Sequence, residues 1–427
     1  MTGRGFGLDN LPYGVDSAGH VVVALGDEVV DLAVLDGLDV ERQVWSSGSL
    51  NAFLALGPDA WARTRAQLQE GLAPDQPTGR GPLSRRRDKP GAVRPRHSVE
   101  LVLPWEVADY VDFYSSEHHA ANMGRLLRPE HPQLPPAWRH LPIGYHGRAG
   151  TVVVSGTAII RPCGFVAGNN APASGTAGAS GPAGASGPAG ASGPAGASGP
   201  AGAEHGRTLA PTRRLDLEME VGFVVGAGST AGTPVAAGRA GEHVFGAVVV
   251  NDWSARDIQA FEYQPLGPFL GKSFATSVSP WVVPLAALAP YAVAGPAQDP
   301  PPAPHLVAAE PRNFDIRLEL SVNGRVLSRV SAAGLYWSMA QQVAHLTSNG
   351  ASLRTGDLLA TGTISGPERG TRPDNVGSLM EMGGGEERWL ADGDTVSIRA
   401  WCGPRDGGVS FGEVTGTILA ARPREAR

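Results

Sequence analysis

LDLEMEVGFVV, residues 215–225, alternates acidic and apolar residues and then becomes almost wholly apolar. Because side chains at i and i+2 of a strand share a face, its three acids, Asp216, Glu218 and Glu220, are predicted to lie on one side. One interpretation is a half-exposed strand with a solvated acidic face. In the other, a cation lies among the acids, because neighbouring carboxylates on one face repel one another. Ligands that are all oxygen suit Mg²⁺ or Ca²⁺ better than zinc. This segment alone leaves both open.

β-Rich segments surround this strand and decide the fold class. They are VELVLPWEV (99–107), TVVVSGTAII (151–160), HVFGAVVV (243–250), SPWVVPL (279–285), FDIRLELSVNGRVLSRV (314–330) and the hairpin-like WLADGDTVSI (389–398). Few helical patterns intervene between them. We therefore expect a mainly β or α+β protein and not a doubly wound sheet.

The N-terminal segment has a pattern of its own. HVVVALGDEVVDLAVL (20–35) predicts two short strands around a Gly-Asp turn, and PDAWARTRAQLQEGL (58–72) predicts an amphipathic helix. The stretch RGPLSRRRDKPGAVRPRH (80–97) is typical of a solvated linker, because Pro and Gly interleave its basic residues. The sequence thus predicts a small N-terminal domain over residues 1–98 and a catalytic domain over residues 99–427.

A repeat of Gly, Ala, Ser and Pro interrupts the second domain. Residues 175–203 place Gly at every third position, which is the period of collagen. The run is short, however, Pro never takes the third position, and both ends lead into globular sequence. We expect a disordered loop insertion at about 168–206 that the core can lose.

Composition excludes several classes of function. The 427 residues contain 35 Lys and Arg against 41 Asp and Glu, a net charge of -6, which gives no electrostatic case for nucleic acid or an anionic membrane as partner. The two cysteines, Cys163 and Cys402, are far apart and suggest neither a disulfide framework nor a thiolate metal site. The start MTGRGFGLDN has no apolar signal region, and we expect a cytoplasmic protein without a membrane span.

Polar groups suited to chemistry occur in several further motifs. DFYSSEHHAAN (112–122) places an acid, a phenol and two adjacent histidines close together, and NDWSARDIQAFEYQPLGPFLGKSFATS (251–277) begins just past a buried strand. In the second motif Ser254 is a candidate helix cap. Arg256, Gln259 and Tyr263 share one face of the predicted helix, and Lys272 follows on a turn. Towards the C-terminus, DLLATGTISG (357–366) carries Thr363 and GSLMEMGGG (377–385) carries Glu381. Taken singly, such residues are more often structural than catalytic.

Taken in order, these motifs closely resemble the fumarylacetoacetate hydrolase family. The blocks that carry the resemblance are DFYSSEHHAANMGRLLR, LPIGYHGRAGTVVVSGT, LDLEMEVGFVVG, NDWSARDIQAFEYQPLGPFLGKSF and GDLLATGTISG, together with the N-terminal NLPYGV (10–15). The likeness runs nearly end to end, whereas the broader superfamily typically shares only the acidic metal site and the C-terminal fold. It implies an SH3-like N-terminal barrel followed by a mixed β-roll, assembled as a homodimer.

The resemblance also implies a role for each matching residue. The ligands of a Mg²⁺ or Ca²⁺ ion would be Asp112, Glu218, Glu220 and Asp252, with Lys272 and Thr276 around a second Mg²⁺ position. His119 would activate water and Glu381 would orient it, while Arg256, Gln259 and Lys272 would face the developing negative charge. The substrate contacts would be Tyr114, Arg128, Tyr145, Gln259, Tyr263 and Thr363. The implied reaction is hydrolysis of a carbon–carbon bond of 4-fumarylacetoacetate, a β-diketone, in tyrosine and phenylalanine catabolism.

Three alternatives accompany this expectation. A related superfamily enzyme, such as an acylpyruvate hydrolase or a decarboxylase of a smaller oxo acid, would generally lack the full-length match and the pair Tyr114 and Arg128. A catalytically silent binding or scaffold member would have lost an acid or the His/Glu pair, yet every such position is occupied. Spacing does not exclude His118 as the base, and only the motif match selects His119.

Overall fold

Strands that are apolar on both faces form the centre of the molecule. A computed structural model describes residues 5–73, 90–127, 133–167, 207–367, 374–383, 389–405 and 407–423. Its central mixed sheet has the order β7-β6-β22-β13-β14-β16-β8, with β17 pairing to β14 off this path. The bounds are β6 (Tyr110–Phe113), β7 (Gly144–Gly147), β8 (Val152–Val154), β13 (Met219–Val225), β14 (Val244–Asp252), β16 (Thr276–Val278), β17 (Val283–Pro284) and β22 (Leu358–Ala360).

The central strands are buried on both faces because other layers cover both. In β14 the alternate residues Ala247 and Val249 belong to one core, and Val248 and Val250 belong to another. This is the period of two expected of a strand. The core that contains Ala247 and Val249 also includes residues of another sheet. The core that contains Val248 and Val250 also includes residues of the N-terminal part of the chain. The sheet that carries the acids therefore lies in the interior.

The second sheet is a five-stranded layer with the order β21-β20-β23-β24-β9. Its strands are β9 (Ile159–Ile160), β20 (Ile316–Val322), β21 (Arg325–Ser331), β23 (Thr395–Cys402) and β24 (Val409–Leu419). Asn323 and Gly324 have positive φ angles of 51° and 76°, so they form the tight turn that joins β20 to β21. Among the described residues, three two-stranded ribbons complete the C-terminal part of the chain: β10 (Cys163–Ala167) with β11 (Arg207–Pro211), β12 (Leu215–Asp216) with β15 (Ser254–Ala255), and β18 (Ala292–Val293) with β19 (Asn313–Phe314).

The N-terminal part is a five-stranded antiparallel sheet that packs on the central sheet through aromatic side chains. Its order is β4-β3-β2-β1-β5, with β1 (Tyr13–Asp16), β2 (Val21–Leu25), β3 (Glu28–Asp31), β4 (Val93–Pro95) and β5 (Leu101–Val102). Phe245 of β14 contacts Tyr13, Phe53 and Trp61 at ring-centroid distances of 5.4, 5.7 and 5.3 Å. These aromatic contacts join the two parts of the chain.

Helices are few and lie at the periphery of the sheets. The α-helices are α1 (Arg42–Trp45), α2 (Asn51–Leu54), α3 (Pro58–Leu72), α4 (Glu117–Leu127), α5 (Arg256–Glu262), α6 (Leu285–Leu288) and α7 (Met339–Thr347). The 3₁₀ helices are Arg96–Ser98, Ala149–Thr151, Ala237–Glu242, Ala289–Tyr291, Pro304–Leu306 and Ala332–Gly334. None of the helices in the described ranges has the length and apolar character needed to cross a membrane. The predicted mainly β fold, with an N-terminal half-barrel and a mixed catalytic sheet, is confirmed.

Local predictions had mixed outcomes. Two strands around the turn at Gly26 and the helix over residues 58–72 are confirmed. The single strand predicted for residues 215–225 is wrong, because it is divided into β12 and β13. All eleven residues of that segment are buried, so the solvated acidic face is wrong as well. The hairpin over residues 389–398 is also wrong, since only its end from Thr395 onward forms a strand.

The cap predicted for α5 differs from the observed one. Ser254 belongs to β15, and its hydroxyl donates to the backbone oxygen of Asp252. The residue that precedes the helix is Ala255, which offers no side-chain cap. The backbone pairing of β12 with β15 thus takes precedence over the local capping preference.

The insertion separates two strands that pair directly. The predicted loop at about 168–206 lies outside the described residues. Ala167 and Arg207 are the terminal pair of the β10–β11 ladder.

Replacing residues 168–206 by Asn-Gly is therefore expected to give a closed hairpin and a folded protein. Its Tm should equal or exceed that of the full chain, because each halving of loop length lowers the closure free energy by about 0.6 kcal/mol. Thermal denaturation checks this, and an aggregated or strongly destabilised variant would show that the insertion supports the fold.

Candidate active site

Four carboxylates from neighbouring strands converge in the central sheet. Asp112 lies in β6, Glu220 lies in β13, Asp252 ends β14, and Glu218 lies just before β13. One oxygen of each lies within 4.8 Å of the others, and all four residues are buried. Sheet pairing brings them together, since β22 joins β6 to β13 and the backbone N–H of Asp252 donates to the carbonyl of Glu218 at 3.2 Å. The structure thus brings the four predicted acids together.

Part of this acidic cluster lacks hydrogen-bond partners. Within the described part of the chain, Oδ1 of Asp112 and both carboxylate oxygens of Glu220 are buried and unpaired. Burial, and next the Asp252 carboxylate, raise the pKa of Asp112 well above its usual range. Burial, followed by Asp112 and Asp252, does the same to the pKa of Glu220. Orphaned, all-oxygen donors of this kind fit a hard divalent cation such as Mg²⁺ or Ca²⁺.

Two side-chain cations compensate the remaining acids. The Lys272 ammonium donates to Glu218 and Asp252, and the Arg256 guanidinium donates from Nη2 to Glu218 at 2.6 Å. Burial alone would raise the pKa of Glu218, but Lys272 and Arg256 outweigh it and hold that pKa below its ordinary value. Burial would lower the pKa of Lys272, yet Asp252 and Glu218 raise it, so this residue is a cation and not a lone-pair ligand. Asp252 also accepts from the Thr276 hydroxyl at 3.2 Å.

A histidine–carboxylate pair lies beside the cluster. His119 Nδ1 lies 2.8 Å from Oε2 of Glu381, and the two side chains are 4% and 0% exposed. Glu381 also accepts from Asn122 at 2.7 Å and from the Ser365 and Ser378 hydroxyls at 2.8 Å each. Burial would raise the pKa of Glu381, but His119, Asn122 and Ser378 lower it below its ordinary value. An ionised Glu381 selects the His119 tautomer that carries its proton on Nδ1, which leaves Nε2 as a proton acceptor.

The local sequence explains how His119 reaches this position. Strand β6 ends at Phe113 and α4 begins at Glu117, and the Ser116 hydroxyl accepts from the backbone N–H of His119 at 3.3 Å, as a helix-capping serine does. His119 thus lies in the first turn of α4, a few residues after the strand that carries Asp112. The hydrogen bond to Glu381 is made by His119 and not by its neighbour His118.

The predicted substrate contacts are only partly gathered here. Tyr145 donates to Asp252 Oδ2 at 3.0 Å, and the Tyr114 ring lies edge-on to the His119 ring at 5.4 Å. Arg256 donates from Nη1 to the Gln259 amide oxygen at 3.1 Å. The remaining predicted contacts are Thr363, which is buried; Tyr263, whose hydroxyl accepts from Gln264; and Arg128, which lies outside the described residues.

Sequence reasoning missed several residues of the site. Asp216, grouped with the cluster by strand alternation, is bound instead to Arg256 and to a neighbouring loop. The partners of Glu381 other than His119, namely Asn122, Ser365 and Ser378, were not predicted. For Asn122 a signal existed, because it lies three residues after His119 and therefore on the same helix face. Ser378 is also a neighbour in the sequence, three residues before Glu381. For Ser365 no such signal existed, since it lies sixteen residues away and the tertiary fold brings it to Glu381.

Family models match nearly the whole chain. The model described as fumarylacetoacetate (FAA) hydrolase C-terminal covers residues 109–419, and the one described as fumarylacetoacetase N-terminal covers residues 9–104. The chain belongs to the fumarylacetoacetate hydrolase family. The four carboxylates and the His119–Glu381 pair all fall within the stretch matched by the C-terminal model of that family.

Individual members of this family extend the comparison. The chain is 40% identical to the fumarylacetoacetase of Homo sapiens over 97% of its length and 96% of that protein. It is also 40% identical to the fumarylacetoacetase of Arabidopsis thaliana, over 98% of the chain and 96% of the relative. A fumarylacetoacetate hydrolase from Exiguobacterium antarcticum shares the fold, with a TM-score of 0.52 at 17% identity over 96% of this chain and 99% of that one.

The acidic cluster predicts a stability that depends on a divalent cation. Stripping metal with a chelator should lower Tm, and resupplying Mg²⁺ or Ca²⁺ should raise it by several degrees. The reason is that a ligand at about 100 times its Kd adds about 2.7 kcal/mol to the free energy of unfolding. Glu220→Gln should lose most of this response. It should also raise the Tm of the metal-free protein, since it removes one of the repelling buried carboxylates.

Glu319→Gln is the matched control for this measurement. Glu319 is another buried glutamate, but it lies in β20 and pairs with Arg329 and Arg405, away from the cluster. Its variant should be destabilised and keep the full cation response. A cation response that survives Glu220→Gln unchanged would place the ion elsewhere.

Proposed function

We propose that the chain hydrolyses the carbon–carbon bond of 4-fumarylacetoacetate to fumarate and acetoacetate. The observation that carries the proposal is the buried His119–Glu381 pair beside an acidic cation site, in a chain 40% identical over almost its full length to a fumarylacetoacetase. Breaking a β-diketone by water requires an activated water, a polarised carbonyl and a stabilised carbanion. The site offers groups suited to each of these tasks.

We propose that Asp112, Glu218, Glu220 and Asp252 hold the divalent ion. If all are ionised, the four clustered acids and Asp216 carry five negative charges, and Lys272 and Arg256 carry two positive ones. Three negative charges then remain without compensation. A divalent cation reduces this excess to one. When bound, it supplies a Lewis acid that polarises substrate oxygens. Lys272 and Thr276 contact Asp252 from the protein side and support its position.

His119 is the proposed general base. Its Nε2 removes a proton from water as the water oxygen forms a bond to the carbonyl carbon, and Glu381 stabilises the resulting imidazolium through Nδ1. The ionised state of Glu381 supports this role, because a neutral partner would neither fix the tautomer nor stabilise the positive ring. General base catalysis of this kind contributes about 10²–10⁴ in rate.

Cations and hydrogen-bond donors complete the proposed mechanism. When the carbon–carbon bond breaks, its electron pair stays with the acetoacetate fragment as an enolate. The enolate then takes up the proton that His119 removed from water, which restores the neutral base. Arg256 and Lys272 supply positive charge near these oxygens, and Gln259 is held by Arg256. Loss of a single such donor often costs about 3–4 kcal/mol. We propose Tyr114, Arg128, Tyr145, Gln259, Tyr263 and Thr363 as the substrate contacts.

The proposal also covers the domain division, the oligomeric state, the location and the metabolic role of the protein. We propose a domain division at residues 1–98 and 99–427, a homodimer, a cytoplasmic location and a place in the catabolism of tyrosine. Family models that divide at residues 104 and 109 support the first of these.

The substrate is tested by the loss of fumarylacetoacetate absorbance with purified protein. Hydrolysis should vanish after metal chelation and return with Mg²⁺ or Ca²⁺. An acylpyruvate serves as the competing substrate, and faster turnover of it under the same conditions would overturn the assignment. So would a folded, cation-loaded protein that hydrolyses neither compound.

The general base is tested by replacing each of the two adjacent histidines with alanine in turn. His119→Ala should lower kcat by about 10²–10⁴, with Tm and the cation response retained. His118→Ala is the matched control and should keep kcat, because the hydrogen bond to Glu381 is made by His119. Steady-state kinetics decide the point, and a larger loss in His118→Ala would reverse the assignment.

A further inference from the structure

Asp216 lies where three parts of the site meet, although it is not one of the four clustered carboxylates. Its side chain is 0% exposed. Oδ1 accepts from the backbone N–H groups of Leu217 at 2.8 Å and Leu379 at 2.9 Å. Oδ2 accepts from Arg256 Nε at 2.8 Å and from the backbone N–H of Met380 at 3.2 Å. A carboxylate has about four acceptor positions, so Asp216 uses its full capacity.

Two of these donors belong to the segment that carries Glu381. Met380 directly precedes Glu381, and the same segment makes an isolated β-bridge between Ser378 and Glu218. Any movement of Leu379 and Met380 away from Asp216 therefore moves Glu381 relative to His119. On its other side Asp216 fixes Arg256, whose Nη2 donates to Glu218 at 2.6 Å.

We propose that Asp216 is a positioning residue that holds the Glu381 segment and Arg256 in fixed places relative to the carboxylate strand. Its kinetic consequence rests on the proposed hydrolysis. The general base works only if Glu381 keeps its distance and direction to His119, and a misplacement of about 1 Å can lower the rate by about 10²-fold. Asp216 touches no reacting group of the proposed mechanism, and its effect on the rate is exerted through Glu381.

Asp216→Asn is the informative substitution. Asparagine keeps the size of the side chain but replaces one acceptor oxygen by an NH₂ group. All four partners of Asp216 are hydrogen-bond donors. In either orientation of the amide, its NH₂ group faces N–H donors, so hydrogen bonds that fix the Glu381 segment are weakened or lost. We expect kcat for fumarylacetoacetate to fall about 10²-fold with a small change in KM.

A double-mutant cycle with Glu381→Gln separates positioning of the base from other effects. If Asp216 acts through Glu381, the double variant is as slow as Glu381→Gln alone within about threefold. If the two losses multiply, Asp216 affects the reaction through Arg256 alone or through general stability, and the proposal is wrong. Wild-type turnover is measured first, since its absence refutes the proposed function separately.

Hydrogen exchange provides a readout that needs no turnover. In the cation-loaded protein, the amides of Leu379 and Met380 should exchange much faster in Asp216→Asn than in the wild type, as followed by mass spectrometry of peptides over residues 374–383. Unchanged exchange there contradicts the positioning role, whatever the activity of the wild type.

Asp357→Asn is the matched control for both readouts. Asp357 is also buried and accepts from the backbone N–H groups of Asp109 at 3.0 Å and Arg354 at 2.8 Å, but it precedes β22 and lies outside the site. We expect a loss of Tm with unchanged kcat and unchanged exchange over residues 374–383. If Asp216→Asn does not fold, Asp216→Glu keeps the charge and displaces the carboxylate by one methylene. A folded Asp216→Glu with full kcat contradicts the proposal.

Discussion

The structure depends on the compensation of carboxylates inside a sheet that is covered on both faces. Asp112, Glu218, Glu220 and Asp252 are all buried, and an isolated buried charge is very unfavourable. Lys272 and Arg256 compensate Glu218 and Asp252, whereas Asp112 and Glu220 keep unpaired oxygens within the described chain. This division of charge is what makes the site suitable for a divalent cation.

A second group of acids shows the contrast. Asp16 and Asp31 lie close to His20 in the N-terminal sheet, at distances that a metal could also bridge. Arg94 donates to both carboxylates, and backbone N–H groups near each of them donate as well. These acids are therefore already satisfied by the protein. The unpaired oxygens of Asp112 and Glu220 therefore distinguish the proposed cation site from this second group of acids.

Much of this arrangement could be predicted from the sequence. Helix α3 and the strand pair around Gly26 follow from local periodicity, and the four clustered acids were grouped through resemblance of whole motifs. The place of Asp216 could not be predicted, because alternation assigns it to the face of Glu218 and Glu220. A break between β12 and β13 instead turns it towards Arg256 and the Glu381 segment. Such breaks are imposed by tertiary pairing with β15 and Ser378, which no local pattern encodes.

The proposed cation site is tested most directly by the anomalous diffraction of a crystal of the protein grown with Mn²⁺ as a stand-in for the divalent ion. We predict that the strongest anomalous peak lies among the carboxylate oxygens of Asp112, Glu218, Glu220 and Asp252. A map without a peak there, or with its main peak at Asp16, His20 and Asp31, would contradict this prediction.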